Sequence, residues 1–142
     1  MTADEIISSL NLKPHPEGGY YKEMFRDNET FGTAERSFST AIYFLLKAGR
    51  GSHWHAVDAV EIWHYYQGAP LKLDIAAPSG PLETQILGSE LGTGARPQIV
   101  IPRGYWQRAR SLGDYTLMGC TVAPGFEFSG FTLAPEGFEP GV

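Results

Sequence analysis

The sequence predicts an all-β chain of antiparallel sheet behind one short N-terminal helix. Short β-rich runs follow one another from Tyr20 almost to the C-terminus, and the 17 glycines and 10 prolines fall mostly between them. Many short strands with regular turn residues indicate a sandwich or barrel. A helical period occurs only in the first eleven residues. No internal repeat, low-complexity tract or linker divides the chain, so residues 1–142 are expected to form a single domain.

Thr2 or Asp4 can cap a short helix with Ile6, Ile7 and Leu10 on its apolar face, and Asn11 is a plausible stop. Pro14 and Pro16 then forbid helix, and Gly18-Gly19 leads into an extended segment from Tyr20 to Arg26. The expected strands after it are Ser37 to Leu46, His53 to His55, Val60 to Gln67, Leu71 to Ala76 and Glu83 to Leu87. Four more follow, Gln98 to Ile101, Trp106 to Arg110, Thr116 to Val122 and Phe126 to Leu133. The run Gly88 to Gly94 lacks the lysine and the strand-helix context of a phosphate loop and reads as a hairpin.

Composition excludes several classes. At 142 residues, with 42% hydrophobic and 13% aromatic content, the chain can bury a real core and is not disordered. Sixteen acidic against eleven basic residues give a formal charge of −5, opposite to the basic footprint of nucleic-acid binding. The longest apolar run, Ala41 to Leu46, is far short of the roughly 20 residues a membrane helix needs. A single cysteine, Cys120, excludes an internal disulfide and reads as a small buried hydrophobe. The first residues lack the basic and apolar regions of a secretory signal, so the expected location is the cytoplasm.

The chemistry concentrates at His53-Trp54-His55, Glu61 and Pro102 to Gln107. Two histidines one residue apart on a strand share a face. With Glu61 from the next strand they form a two-His-one-carboxylate pattern that can hold a divalent metal, zinc, iron, nickel or manganese, with positions left open. Without metal, His53, His55 and Glu61 are the candidate acid-base residues. Glu61, Trp63 and Tyr65 alternate onto one face, and His64 onto the other. Trp63, Tyr65, Trp106 and Gln107 are expected to shape the pocket, with Arg108, which shares the face of Trp106, able to grip a carboxylate or phosphate. Glu23 and Arg26 read as a surface pair worth about 0–1 kcal/mol. His15 reads as a loop residue anchoring the N-terminal arm.

These segments resemble the cupins. Gly51-Ser52-His53-Trp54-His55, Glu61 and Gly68 are similar to the first cupin motif, and Pro102-Arg103-Gly104-Tyr105-Trp106-Gln107 to the second. The stretch Leu12 to Glu23, with His15-Pro16-Glu17-Gly18-Gly19-Tyr20, resembles one uncharacterised small branch of that superfamily, related to sugar-nucleotide epimerase-like cupins and seed storage proteins. The resemblance implies a double-stranded β-helix, or jelly roll, with the cavity between its sheets. It also implies a homodimer, for which Tyr20 to Phe25 is the candidate edge strand. Gln107 falls at the fourth ligand position, where the family pattern has histidine, and an amide oxygen is the poorer donor to a transition metal. The gap from His55 to Glu61 is longer than usual for the family.

The favoured function is isomerase- or epimerase-like proton transfer on a small polar or sugar-like molecule, with no organic cofactor. The alternatives are a metal-dependent oxygenase and a ligand-binding or storage module without turnover.

Overall fold

A computed structural model describes residues 1–140. Helix α1 (Ala3–Leu10) is capped by Thr2, whose Oγ1 accepts from the Glu5 amide at 3.2 Å. Asn11 ends it in the left-handed conformation, with its amide turned back on the last carbonyls. Thirteen strands follow: β1 (Lys13–Pro14), β2 (Tyr20–Arg26), β3 (Thr30–Phe31), β4 (Arg36–Ser37), β5 (Thr40–Lys47), β6 (His55–Val57), β7 (Val60–Gly68), β8 (Leu71–Ala76), β9 (Leu82–Leu87), β10 (Gln98–Ile101), β11 (Trp106–Ser111), β12 (Tyr115–Ala123) and β13 (Phe131–Leu133). They form a six-stranded sheet, β1-β2-β5-β12-β7-β10, facing a five-stranded sheet, β13-β6-β11-β8-β9, with β3 and β4 as a separate ribbon. Every named strand pair is antiparallel, as a jelly roll requires.

The core lies between the sheets. Phe44 and Leu46 of β5, Trp63 of β7 and Met118 and Cys120 of β12 meet Leu71, Leu73 and Ile75 of β8 and Ala109 of β11. The odd-numbered neighbours Leu45 and Leu117 point to the other side of the six-stranded sheet, where they pack with Ile6 and Leu12 beneath the helix. The period-two alternation of β5 and β12 is thus satisfied on both faces, so these central strands read as continuous apolar runs.

Four expected elements differ. The Ser37 to Leu46 strand is broken at Phe38 and Ser39, where the Ser37 hydroxyl donates to the Ser39 carbonyl, so Ser37 ends β4 in the separate ribbon and the sheet strand begins at Thr40. The His53 to His55 strand starts only at His55, because Ser52 and His53 bond sideways to Ala109 and Glu17 carbonyls. The Phe126 to Leu133 run is a strand only over Phe131–Leu133, preceded by a 3₁₀ turn at Phe128–Gly130. Gly88 to Gly94 is not a hairpin: β9 and β10 belong to opposite sheets, and the segment with its 3₁₀ turn Leu91–Thr93 carries the chain across. No helix among the described residues is long and apolar enough to cross a membrane.

Candidate functional site

The site opens at one end of the gap between the sheets. The five-stranded sheet supplies His55 on β6 and, directly opposite it on β11, Gln107. The six-stranded sheet supplies Glu61 on β7, paired with Ile101 and Val122. The arm between β1 and β2 adds His15 and Glu17, held by a bond from the His53 amide to the Glu17 carbonyl at 2.8 Å. Gly19 makes this arm possible. Its φ is +79°, and a Cβ there would stand 2.8 Å from the Leu45 carbonyl oxygen. The result is a cavity of about 120 Å³ whose polar floor is His15, Glu17, His55 and Glu61.

Hydrogen bonding fixes the protonation of most of these groups. Trp63 Nε1 can only donate, and it donates to Gln107 Oε1 at 2.8 Å. The Gln107 amide nitrogen must therefore face Glu61, and it donates to Oε1 at 2.8 Å. His55 Nδ1 lies 2.8 Å from the His53 carbonyl, so that nitrogen carries a proton. Its Nε2 lies 2.9 Å from Glu17 Oε2 in an ion contact. That contact is off the hydrogen-bond axis, so the buried Oε2 has no aligned donor among the described residues. His15 Nδ1 accepts from the Glu17 amide at 3.1 Å, so it is unprotonated, and its 3.6 Å approach to Glu17 Oε1 brings two acceptors together.

The charges follow. Burial alone would lower the His55 pKa, but the Glu17 carboxylate outweighs it, aided by Glu61 and the His53 carbonyl, and pushes it up to about 9. His55 is an imidazolium at neutral pH. Burial and then the Glu17 charge push Glu61 up to about 7, against the attraction of His55 and the bonds from Gln107 and Cys120. Burial lowers His15, which stays neutral. Burial and the Glu61 carboxylate push the Cys120 thiol well above its usual range. A carboxyl near its midpoint beside a fixed imidazolium is an arrangement for proton transfer.

The sequence-predicted residues are only partly brought together. His55, Glu61 and Gln107 meet. His53 does not: it precedes the strand, so the alternation that would place it beside His55 does not apply, and it is exposed in a groove on the outside. Trp63 is buried in the core and orients Gln107 from behind. Tyr65 packs against the same core with its hydroxyl on the Gly68 carbonyl. Trp106 and Arg108 alternate away from Gln107 to the outer face. There Trp106 packs on Phe138, and Arg108 bonds Asp74 at 2.9 Å and lies over Trp54. His64 is on the outer face as expected, bonded to Thr121.

Sequence reasoning missed Glu17, which governs His55, and the walls Tyr21, Phe126, Phe128 and Phe131. His15 is buried on the cavity floor as well as tethering the arm. Glu23 and Arg26 do pair, at 2.6 Å, but at the cavity mouth.

The expected metal set fits poorly. His53 points elsewhere, both His55 nitrogens face acceptors, and the Gln107 oxygen is committed to Trp63. Among the described residues no group of three or more His, Cys, Asp or Glu side chains is arranged to hold a metal ion.

Comparison with known proteins agrees with this architecture. The family model described as Cupin superfamily (DUF985) matches residues 4–134. An uncharacterized protein of Saccharomyces cerevisiae is 26% identical over 147 residues, covering 91% of this chain and 73% of the yeast protein. The crystal structure of a Shewanella oneidensis protein superimposes with a TM-score of 0.90 at 38% identity, covering 94% of this chain and 85% of that one. A hypothetical protein from Leishmania major gives 0.87 at 28% identity, covering 94% and 88%. A variant of oxalate decarboxylase from Bacillus subtilis shares the fold alone, with a TM-score of 0.65 at 15% identity over 85% of this chain and 29% of that one. The chain belongs to the cupin superfamily, in the family described as DUF985.

Proposed function

We propose that this cupin is an isomerase- or epimerase-like enzyme that moves a proton on a small polar molecule held against Glu61. One observation carries the reading: a buried carboxyl, oriented by Gln107 and close to half-ionised at neutral pH, faces a cavity beside an imidazolium that Glu17 keeps charged. Glu61 takes a proton from, or returns it to, a carbon or hydroxyl of the substrate. The His55 imidazolium, both of whose nitrogens are engaged by the protein, offsets developing negative charge through its field and without a direct hydrogen bond, and Glu17 and Gln107 are positioning residues.

The test is deuterium wash-in. Small hydroxy, keto and amino compounds are incubated with the protein in heavy water, and NMR follows loss of C–H signal. Exchange that falls by about 100-fold or more in Glu61→Gln but survives in His53→Ala supports the assignment. Equal exchange in wild type and Glu61→Gln sinks it.

A second reading, ligand binding without turnover, is favoured by the engagement of both His55 nitrogens with the protein's own acceptors. It expects a ligand that binds wild type with no exchange. The metal-dependent oxygenase has no comparable support in the donor set. We also propose a homodimer through β2, whose outer edge is covered by β1 only at Tyr20 and Tyr21 and which exposes Met24 and Phe25.

A further inference from the structure

We propose that the molecule this cavity takes is an ammonium compound with a compact hydrocarbon body, and that anions are rejected. The inference rests on the reading of the cavity as a small-molecule site and names the substrate class.

The lining contains three carboxylates, Glu17, Glu23 and Glu127, and the partly ionised carboxyl of Glu61, against two cations, Arg26 and His55. Neither cation is free to receive an anion. Arg26 donates to Glu23 at 2.6 Å, to the Phe126 carbonyl at 2.8 Å and to Glu127 at 3.2 Å. His55 donates to the His53 carbonyl and faces Glu17 at 2.9 Å. An anion would meet a net negative field with its possible partners already taken.

The acceptors show the opposite pattern. Glu17 Oε2 is buried and meets only the His55 Nε2 charge at 2.9 Å, with no aligned hydrogen-bond donor among the described residues, so an N–H of a ligand can take its remaining lone pair. The walls also suit a cation. Phe126, Phe128 and Phe131 stand in a cluster with ring centroids 4.9, 5.9 and 6.1 Å apart, and Phe131 stacks on His55 at 5.5 Å. Ring faces attract ammonium groups, and more so where water is excluded. Ile42, Val57 and Val122 supply apolar surface for the hydrocarbon part. The cavity's 120 Å³ lies below the roughly 300–1,000 Å³ of pockets for drug-sized molecules, so the body is small.

The experiment compares three probes of one shape, isobutylamine, isobutanol and isobutyrate, titrated into isotopically labelled protein at neutral pH. Affinities are read from amide shifts of Val57, Glu61 and Phe131. Isobutylammonium is expected to bind about tenfold more tightly than the alcohol, with the carboxylate weakest. In Glu127→Gln, at the exposed mouth, the preference over isobutyrate falls by roughly threefold. It falls further in Glu17→Gln if that buried variant folds. Isobutyrate or isobutanol binding as well as the amine overturns the ammonium preference and leaves a small-molecule site. No shift at these amides with any probe overturns both.

Discussion

Replacing Glu17 by Gln should discharge His55. In the native protein the His55 pKa stands at about 9 against 6.5 in the unfolded chain, a gap worth about 3 kcal/mol at about 1.36 kcal/mol per pH unit. The folded value is the higher one, so this contribution is complete below pH 6.5 and disappears as the pH rises through 9. Without Glu17, burial dominates and His55 becomes neutral at physiological pH. The variant should therefore be less stable than wild type by about 3 kcal/mol or somewhat more at about pH 6, with the gap closing towards about pH 9. Long-range proton–nitrogen NMR reads the ring directly, expecting two protonated nitrogens in wild type at neutral pH and one in Glu17→Gln. Urea unfolding at both pH values reads the stability. Glu61 titrates in the same range and also feels Glu17, so the unfolding series is repeated in a Glu61→Gln background, where the pH-dependent part belongs to His55. A wild-type His55 that titrates near 6.5, or a stability gap independent of pH, would refute the reasoning.

Four other perturbations are informative. The Glu61 pKa is raised from 4.5 to about 7, so its contribution is complete below 4.5 and lost as pH rises through 7. Glu61→Gln should thus gain stability over wild type above pH 7, by up to about 3 kcal/mol, and thermal melts at several pH values check this. Gly19→Ala should destabilise by about 1–3 kcal/mol, measured by denaturant unfolding, because its φ of +79° and the nearby Leu45 carbonyl both resist a Cβ. Phe25→Glu, on the open edge of β2, should convert a dimer to a monomer in light scattering, whereas a wild-type monomer would remove the proposed interface. Elemental analysis after reconstitution with zinc, iron, nickel or manganese should find less than one equivalent retained, and a stoichiometric metal lost in His55→Ala would reverse the assessment of the donor set.

Much of the fold was legible because local and global signals agree. Thr2 and Asn11 bracket the helix at both ends, and the turn residues around β7, β8, β10 and β11 bound strands within a residue or two of expectation. The site was legible where a strand fixes the side chain, as for Glu61, and misread where it does not. His53 and His55 share a face only if the strand reaches back to His53, and nothing in three residues reveals that it begins at His55. Trp106 and Arg108 follow the same alternation that sends Gln107 inward, so they cannot line its cavity. Glu17 sits in an aperiodic stretch between Pro16 and Gly18. No pattern there reveals that it crosses to β6, although it lies in the Leu12 to Glu23 segment that carries the resemblance to the small cupin branch.

The dependence of His55 on a carboxylate from the arm ties its charge to a segment outside the central strands. The arm joins the sheet through a ladder two residues long, and its Glu17 carbonyl is held by the His53 amide. Detaching it leaves the central strands and their packed core in place, and so requires less free energy than global unfolding. In that opened form His55 loses its counter-ion and meets water, and Glu61 loses both the burial and the negative neighbour that keep it partly protonated. Amide hydrogen exchange at His15 and His53 should then outpace that of Leu45 and Met118, and the fraction of molecules with a charged His55 is set by docking of the arm, separately from the stability of the core.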